Sequence, residues 1–208
     1  RPFISREVPT PAEAYAGARD IVAEQIAEEA GIRSRLREKG LRWGSIEAKV
    51  VPGAEDPRGV YEGYRDFRAA LDRLQPYQVL ALDRAEAEEQ LRVKVAIPER
   101  DWREAVAERF RPDLRSPLAG DLAEAVEDAA ARLLLPAIER DLRRQLTQRA
   151  QAHAIGVFAR NLKALLLQPP LAGHRILGID PGYRSGCKVA VVDDTGRLLH
   201  TDTLNGLA

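Results

Sequence analysis

The stretch "RILGIDPGYRSGCKVAVVDDTGRLLHTDTL", residues 175–204, decides how the end of this chain is read. An apolar run ends on a carboxylate, Asp180, and Pro181-Gly182 starts a loop. A second apolar run, "GCKVAVVD", leads into "DDTG", and "RLLHTDT" follows. Short apolar runs separated by Pro, Gly and Asp read as strands with tight connections, so the spacing predicts a three-stranded antiparallel meander. Asp180 then stands at the tip of the first strand.

Upstream the pattern changes to helical. From Pro117 to Gln168 apolar residues recur at steps of three and four: Leu122, Val126, Ala129 and Leu133, then Ile138, Leu142 and Leu146, then Ile155, Phe158, Leu162 and Leu165. This periodicity predicts helix through most of 118–167, about 75 Å if continuous at 1.5 Å per residue. Such a length exceeds a small domain and suggests a bridge between domains. Pro136 lies inside it, lacks an N–H and is the expected position of any kink. "QPPLAGH", 168–174, ends the helix.

Earlier still, "TPAEAYAGARDIVAEQIAEEA" opens with a capping box, Thr10 with Glu13, and with Pro11 at the first helical position. It predicts a helix from 11 to about 30, with Gly31 as an interruption before "IRSRLREKG" resumes. "LRWGSIEAKVV" fits strand or helix, and "PGAEDPRG", 52–59, is a loop. "YEGYRDFRAALDRL", 61–74, reads as short-helical and "YQVLALDRAEAEEQ" as a helix after Pro76. "LRVKVAI", 91–97, alternates as a strand, and "PERDWREAVAERF" is a further helix. The fold class is therefore α+β and predominantly helical. Three regions are expected: a helical region 1–116 with its strand near 91–97, a long helix 117–168 linking domains, and a sheet region 173–208.

Composition narrows the function classes. Hydrophobic residues make up 45% of 208, enough for a core, and 32 basic residues balance 32 acidic ones. A neutral total gives no overall attraction to nucleic acid or anionic membrane, so any basic surface is local. No run approaches ~20 apolar residues, the length of a membrane span. The chain has no methionine, so both ends read as cuts in a longer protein. Its one cysteine, Cys187, excludes an internal disulfide, fits a reducing compartment and reads as a core thiol rather than a nucleophile. His153, His174 and His200 lack metal-ligand spacing. Trp43 and Trp102 read as packing residues.

Charge along the long helix is lopsided. Residues 118–139 hold Asp121, Glu124, Glu127, Asp128 and Glu139 against Arg132. Residues 140–163 hold Arg140, Arg143, Arg144, Arg149, Arg160 and Lys163 against Asp141. Complementarity to the helix dipole accounts for this arrangement. A phosphate-contacting half-helix accounts for it as well, with Arg143, Arg144 and Arg149 as the candidate nucleic-acid contacts. Tyr183 and Arg184, on the loop after Asp180, are placed to reach a ligand, and Arg184 is the fourth candidate nucleic-acid contact.

Asp180 has two readings. "DPG" is an ordinary turn in which the carboxylate accepts backbone N–H groups. Alternatively, ribonuclease H-like folds present an aspartate on their first, central strand to hold Mg²⁺ with other carboxylates. One carboxylate does not complete such a site, so no catalytic residue is assigned beyond Asp180 as a positional candidate, and no metal site is assigned.

The stretch from "EDAAARLLLPAIERDLRRQLTQRAQAHAIGVFARNLKALLLQPPLAGHRILGIDPGYRSGCKVAVVDDTGRLL" resembles the Tex family of bacterial transcription accessory proteins. "QPPL" followed by "LGIDPGYRSGCK" is close to a family signature, and the resemblance extends upstream through "GARDIVAEQIAEEAGIRSRLR" and "LDRAEAEEQLRVKV". In "PYQVLALDRAE" the chain departs from the Ser-His-Arg-like and Arg-Gly-Glu-like steps common in the family. The resemblance implies a central helical region, a long helix and the first strands of a YqgF domain of ribonuclease H-like fold. It also implies a cytoplasmic nucleic-acid-binding scaffold rather than an enzyme, with no cofactor. RNA or DNA would be its partner in the full-length protein, alongside RNA polymerase or other transcription machinery, with no membrane. The alternative is a piece of a metal-dependent nuclease or resolvase of the same fold, for which Mg²⁺ would be the cofactor.

Overall fold

The structure, a computed structural model, describes residues 5–6, 8–169, 171–182 and 186–204. It divides into two compact units, Arg1–Gly156 and Val157–Ala208.

The first unit begins with α1, Pro11–Glu28. Thr10 Oγ1 accepts the Glu13 N–H and the Glu13 carboxylate accepts the Thr10 N–H, so the predicted capping box is formed. The helix stops at Glu29, whose backbone is extended, and α2 runs over Ala30–Trp43. Gly31 thus lies inside α2, and the break falls two residues before it. Helix α1 buries Ala23, Ile26 and Ala27, and α2 buries Ile32, Leu36 and Gly40.

Three strands follow: β1 Ser45–Val50, β2 Asp66–Ala70 and β3 Leu91–Ala96. They pair antiparallel in the order β2-β1-β3. The segment 61–74 corrects the helical expectation. Only Glu62–Tyr64 and Leu71–Arg73 make single 3₁₀ turns, and β2 lies between them. A run this short satisfies both periodicities, and pairing with β1 decides the outcome. Phe67 and Ala69 turn toward the core while Asp66, Arg68 and Ala70 face out. Helix α3, Pro76–Ala87, and helix α4, Glu99–Ala107, form where the sequence places them. Trp102 is buried in α4, but Trp43 is 58% exposed, with the Arg42 guanidinium 4.9 Å from its ring centroid. Trp43 is therefore not the packing residue the sequence suggests.

Residues 119–166 are helical without an intervening loop. Helix α5 spans Ala119–Asp128, a π-helical turn spans Ala129–Leu134, and α6 spans Leu135–Leu166. The wide turn has a local cause. Pro136 has no N–H for the Arg132 carbonyl, and the Leu135 N–H reaches back five residues to Ala130. The irregularity thus sits just before Pro136 rather than at it. Leu134, Ile138 and Leu142 are fully buried, and Leu146 and Ala150 close the core of this unit. Beyond them the apolar spacing continues on an exposed face through Ile155, Phe158, Leu162 and Leu165.

In the second unit β4 Ile176–Asp180, β5 Cys187–Val192 and β6 Leu198–Leu204 form the expected antiparallel meander, in the order β4-β5-β6. Asp193 accepts from the Thr195 N–H and hydroxyl and from the Arg197 N–H, closing the "DDTG" turn, and Gly196 takes φ 85° there. The Thr195 hydroxyl, foremost among these donors, holds the Asp193 carboxyl below its usual range. The fold is α+β and predominantly helical. No helix among the described residues is long and apolar enough to cross a membrane.

Candidate nucleic-acid interface

Each basic residue singled out on α6 lies in a different environment. Arg143 is engaged internally. Its Nη2 donates to Asp83 Oδ1 at 2.8 Å and to Glu86 Oε2 at 2.7 Å, and its side chain is only 16% exposed. Thr147, one turn on, donates its hydroxyl to Asp83 Oδ2 at 2.6 Å. These bonds tie α6 to α3. Both acceptors come from "PYQVLALDRAE", the segment that departs from the usual family steps. Arg143 is consumed by the fold, and its sign alone did not reveal what faces it.

Arg144 is 67% exposed, 3.7 Å from Asp141 Oδ1. Asp141 also accepts from Arg37 Nη1 at 3.2 Å and from Arg33 Nη2 at 3.4 Å, both on α2. One carboxylate is therefore shared by three guanidinium groups. Arg140 is exposed one turn before Arg144 on the same helix face and makes no ion pair among the described residues. Three arginines share one aspartate, and Arg140 adds an unpaired cation one turn from Arg144, so positive charge is in local excess in a chain whose total is zero. Sequence reading missed Arg33 and Arg37, although their i, i+4 spacing puts them on one face of α2.

Arg149 is exposed at the rim of a separate hollow of about 310 Å³ lined by Leu41, Leu74, Val79 and Leu146. Five residues separate it from Arg144, about 140° around a helix of 3.6 residues per turn, so the two do not share a face. Arg184 and Tyr183 lie outside the described residues.

Asp180 ends β4 as expected. Its cross-strand neighbour is Lys188, which in turn faces Thr203. Alternation puts these three on one side of the sheet. Asp202, the carboxylate on β6, is registered with Val189 and points to the other side. Among the described residues no group of three His, Cys, Asp or Glu could hold a metal ion. Lys188 and Thr203 thus stand beside Asp180 on this side of the sheet, where a two-metal site would need further carboxylates. Cys187 is a free, half-buried thiol.

The family model described as Tex central region-like matches residues 1–158, and that of the Tex protein YqgF-like domain matches residues 174–206. The chain belongs to the Tex family. It is 37% identical over 200 residues to the Bacillus subtilis protein YdcI, covering 96% of this chain and 28% of that one. It is 35% identical over 201 residues to Protein tex of Bordetella pertussis, covering 90% of this chain and 25% of that one. The human S1 RNA-binding domain-containing protein 1 is 31% identical over 200 residues, covering 90% of this chain and 20% of that protein. The chain thus spans between a fifth and somewhat more than a quarter of the length of these relatives. The arginine cluster around Asp141 lies within the stretch matched as Tex central region, and Asp180 within the YqgF-like match.

Proposed function

We propose that this chain is the nucleic-acid-contacting scaffold of a transcription accessory factor, without catalytic activity of its own. The carrying observation is the convergence of Arg33, Arg37 and Arg144 on the single carboxylate of Asp141. One aspartate cannot neutralise three guanidinium groups, and Arg140 is exposed one turn from Arg144 on the same helix. Guanidinium groups bind phosphate bidentately, so a cluster with surplus charge on a helix pair suits an RNA or DNA backbone. The family supports the reading: relatives are named transcriptional accessory protein Tex and S1 RNA-binding domain-containing protein 1. On this reading the full-length protein works in the cytoplasm beside RNA polymerase or other transcription machinery, and needs no cofactor here.

The test is an anisotropy titration of the chain with labelled single-stranded RNA and DNA at two salt concentrations. Arg37→Glu with Arg144→Glu should weaken binding and flatten its salt dependence, because each lost phosphate contact removes about 0.7 from the slope for single strands. Unchanged affinity and slope in the folded double variant would refute the reading.

A further inference from the structure

The groove between α2 and α6 extends beyond the Asp141 cluster. Contacts climb both helices together. Arg37 reaches Asp141, a Cβ on Gly40 would lie 2.6 Å from Leu142 Cδ1, and Leu41 and Leu146 line the hollow of about 310 Å³. The two helices therefore run side by side in the same direction. Leu41 follows Arg33 and Arg37 at steps of four, and Arg149 follows Asp141 and Gln145 at steps of four. Residues four apart are neighbours on a helix surface, so each helix carries one row from the cluster to the hollow. Eight residues on α6 span about 12 Å. Arg149 thus stands at the far end of the row that begins at Asp141, although it does not share the face of Arg140 and Arg144.

The hollow is concave, with apolar walls and charge at its rim. Leu74, Val79 and Leu146 supply walls, and Asp72 and Arg149 line it as exposed residues. Opposite charges that share a surface hollow ordinarily pair. These two do not come within ion-pair distance of each other, and among the described residues neither makes an ion pair or side-chain hydrogen bond. The helix dipole does not account for Arg149 either. Its effect is confined to the end turns, and Arg149 lies midway along α6, Leu135–Leu166. The volume is at the lower end of the range of small-ligand sites, and a few polar groups around apolar walls are their usual composition.

We propose that the hollow takes one unpaired base of a single-stranded nucleic acid, whose flanking phosphates lie on the Asp141 arginines and on Arg149. The proposal rests on the nucleic-acid reading above and names its substrate as single-stranded, since a base paired within a duplex cannot enter. Apolar side chains hold an unstacked base by its faces. The Asp72 carboxylate accepts from the exocyclic amino group of cytosine or adenine and repels the carbonyl oxygen that uracil and thymine carry. Arg149 adds a phosphate contact beyond the cluster. A polypeptide would fill the hollow with one apolar side chain, but it would need a carboxylate on each side of that residue to meet both sets of arginines. In a nucleic acid every internal base is flanked by phosphates.

The experiment uses the whole chain with labelled oligodeoxycytidylate, oligodeoxythymidylate and a duplex of the same length. Wild type should bind oligodeoxycytidylate about fivefold more tightly than oligodeoxythymidylate, and the duplex more weakly than either. Asp72→Ala should abolish the difference between the two oligomers. Arg149→Gln should lower the salt slope by about 0.7 with both. Leu41→Phe narrows the hollow without changing charge and should weaken both about fivefold. Thermal melts check that each variant folds, and the exposed Arg149 carries the test if Leu41→Phe does not. The Arg37→Glu, Arg144→Glu variant should lose affinity for both oligomers and keep the preference for oligodeoxycytidylate. Equal wild-type affinities for the two oligomers, or an Arg149→Gln variant that binds like wild type while the Arg37, Arg144 variant is impaired, would overturn the base site and leave the first reading standing. Duplex binding as tight as that of the single strands would do the same. No binding of any oligonucleotide by wild type would overturn both. Displacement of the oligonucleotide by polyglutamate at equal charge concentration would overturn the commitment to nucleic acid.

Discussion

Glu139 Oε1 accepts the backbone N–H of Val95 at 2.7 Å, so a side chain of α6 takes the place of a further strand along β3. Glu86 of α3 does the same for Val93. Between them these two carboxylates satisfy N–H groups that the β1 pairing leaves pointing outward. Removing the acceptor at Glu139 leaves a half-buried donor without a partner. Glu139→Ala should therefore cost about 1–3 kcal/mol, read as a lower urea midpoint at constant slope. Unchanged stability would mean that water serves this N–H equally well.

Arg143 and Arg144 are adjacent and have opposite fates. Arg143→Met removes the donor that Asp83 and Glu86 share and should lower stability by about 1–3 kcal/mol, with little change in RNA affinity. Arg144→Ala should leave stability within about 0.5 kcal/mol, as for other exposed pairs, and weaken binding. Parallel thermal melts and anisotropy titrations of the two variants check this. The opposite pattern would return Arg143 to the interface and remove Arg144 from it.

This divergence shows what the sequence disclosed and what it withheld. Local signals were legible: Thr10 and Glu13 capped α1, the alternation in "LRVKV" made β3, and "DDTG" made the β5–β6 turn. The apolar stepping through Pro136 foretold an unbroken helix, though not that the missing N–H would be absorbed by a π turn over Ala129–Leu134. What stayed hidden depends on contacts remote in sequence. Strand β2 exists because β1 pairs with it. Arg143 is structural because α3 supplies Asp83 and Glu86. Charges alternate visibly in "IEAKV" and "LRVKV", but only the register places Lys49 between Asp66 and Arg92 and Glu47 between Arg68 and Lys94.

Gly44 marks the tightest backbone approach in the first unit. A Cβ there would lie 2.4 Å from the Gly40 carbonyl oxygen and 3.2 Å from that of Ala96. Both obstacles are backbone and cannot swing aside, and the Gly44 N–H itself donates to the Gly40 carbonyl at 2.8 Å. Gly44→Ala should cost about 1–3 kcal/mol by overpacking, measured by urea unfolding. A neutral result would show that the α2–β1 junction has slack.

Acid should loosen the segment around Tyr61. Asp56 accepts the Tyr61 N–H at 2.7 Å and the Val60 N–H at 3.0 Å, and these bonds, Tyr61 foremost, hold its carboxyl below the usual range. Glu88 is depressed by the Arg84 guanidinium and by the Tyr61 hydroxyl, which donates to it at 2.7 Å. A depressed carboxyl contributes stability that is complete above its unfolded value, near 4, and is lost as pH falls through the lower folded value. The melting temperature should therefore drop as pH falls below about 4, and Asp56→Asn should drop less over the same range. Equal pH profiles for wild type and variant would remove Asp56 from the account.

The last prediction concerns Asp180. Its strand-tip position invites comparison with a metal-binding aspartate, but the side chains that share its face are Lys188 and Thr203. An ammonium group directly across the ladder opposes a dication electrostatically, and threonine adds no second charge. Asp202 is registered with Val189, on the far side of the sheet. Two-metal hydrolysis needs carboxylates that bridge and flank both ions on one side. The chain should therefore show no Mg²⁺- or Mn²⁺-dependent cleavage of labelled single- or double-stranded RNA or DNA, and Asp180→Ala should leave oligonucleotide affinity unchanged. Metal-dependent cleavage that disappears in a folded Asp180→Ala variant would overturn this and restore the nuclease reading.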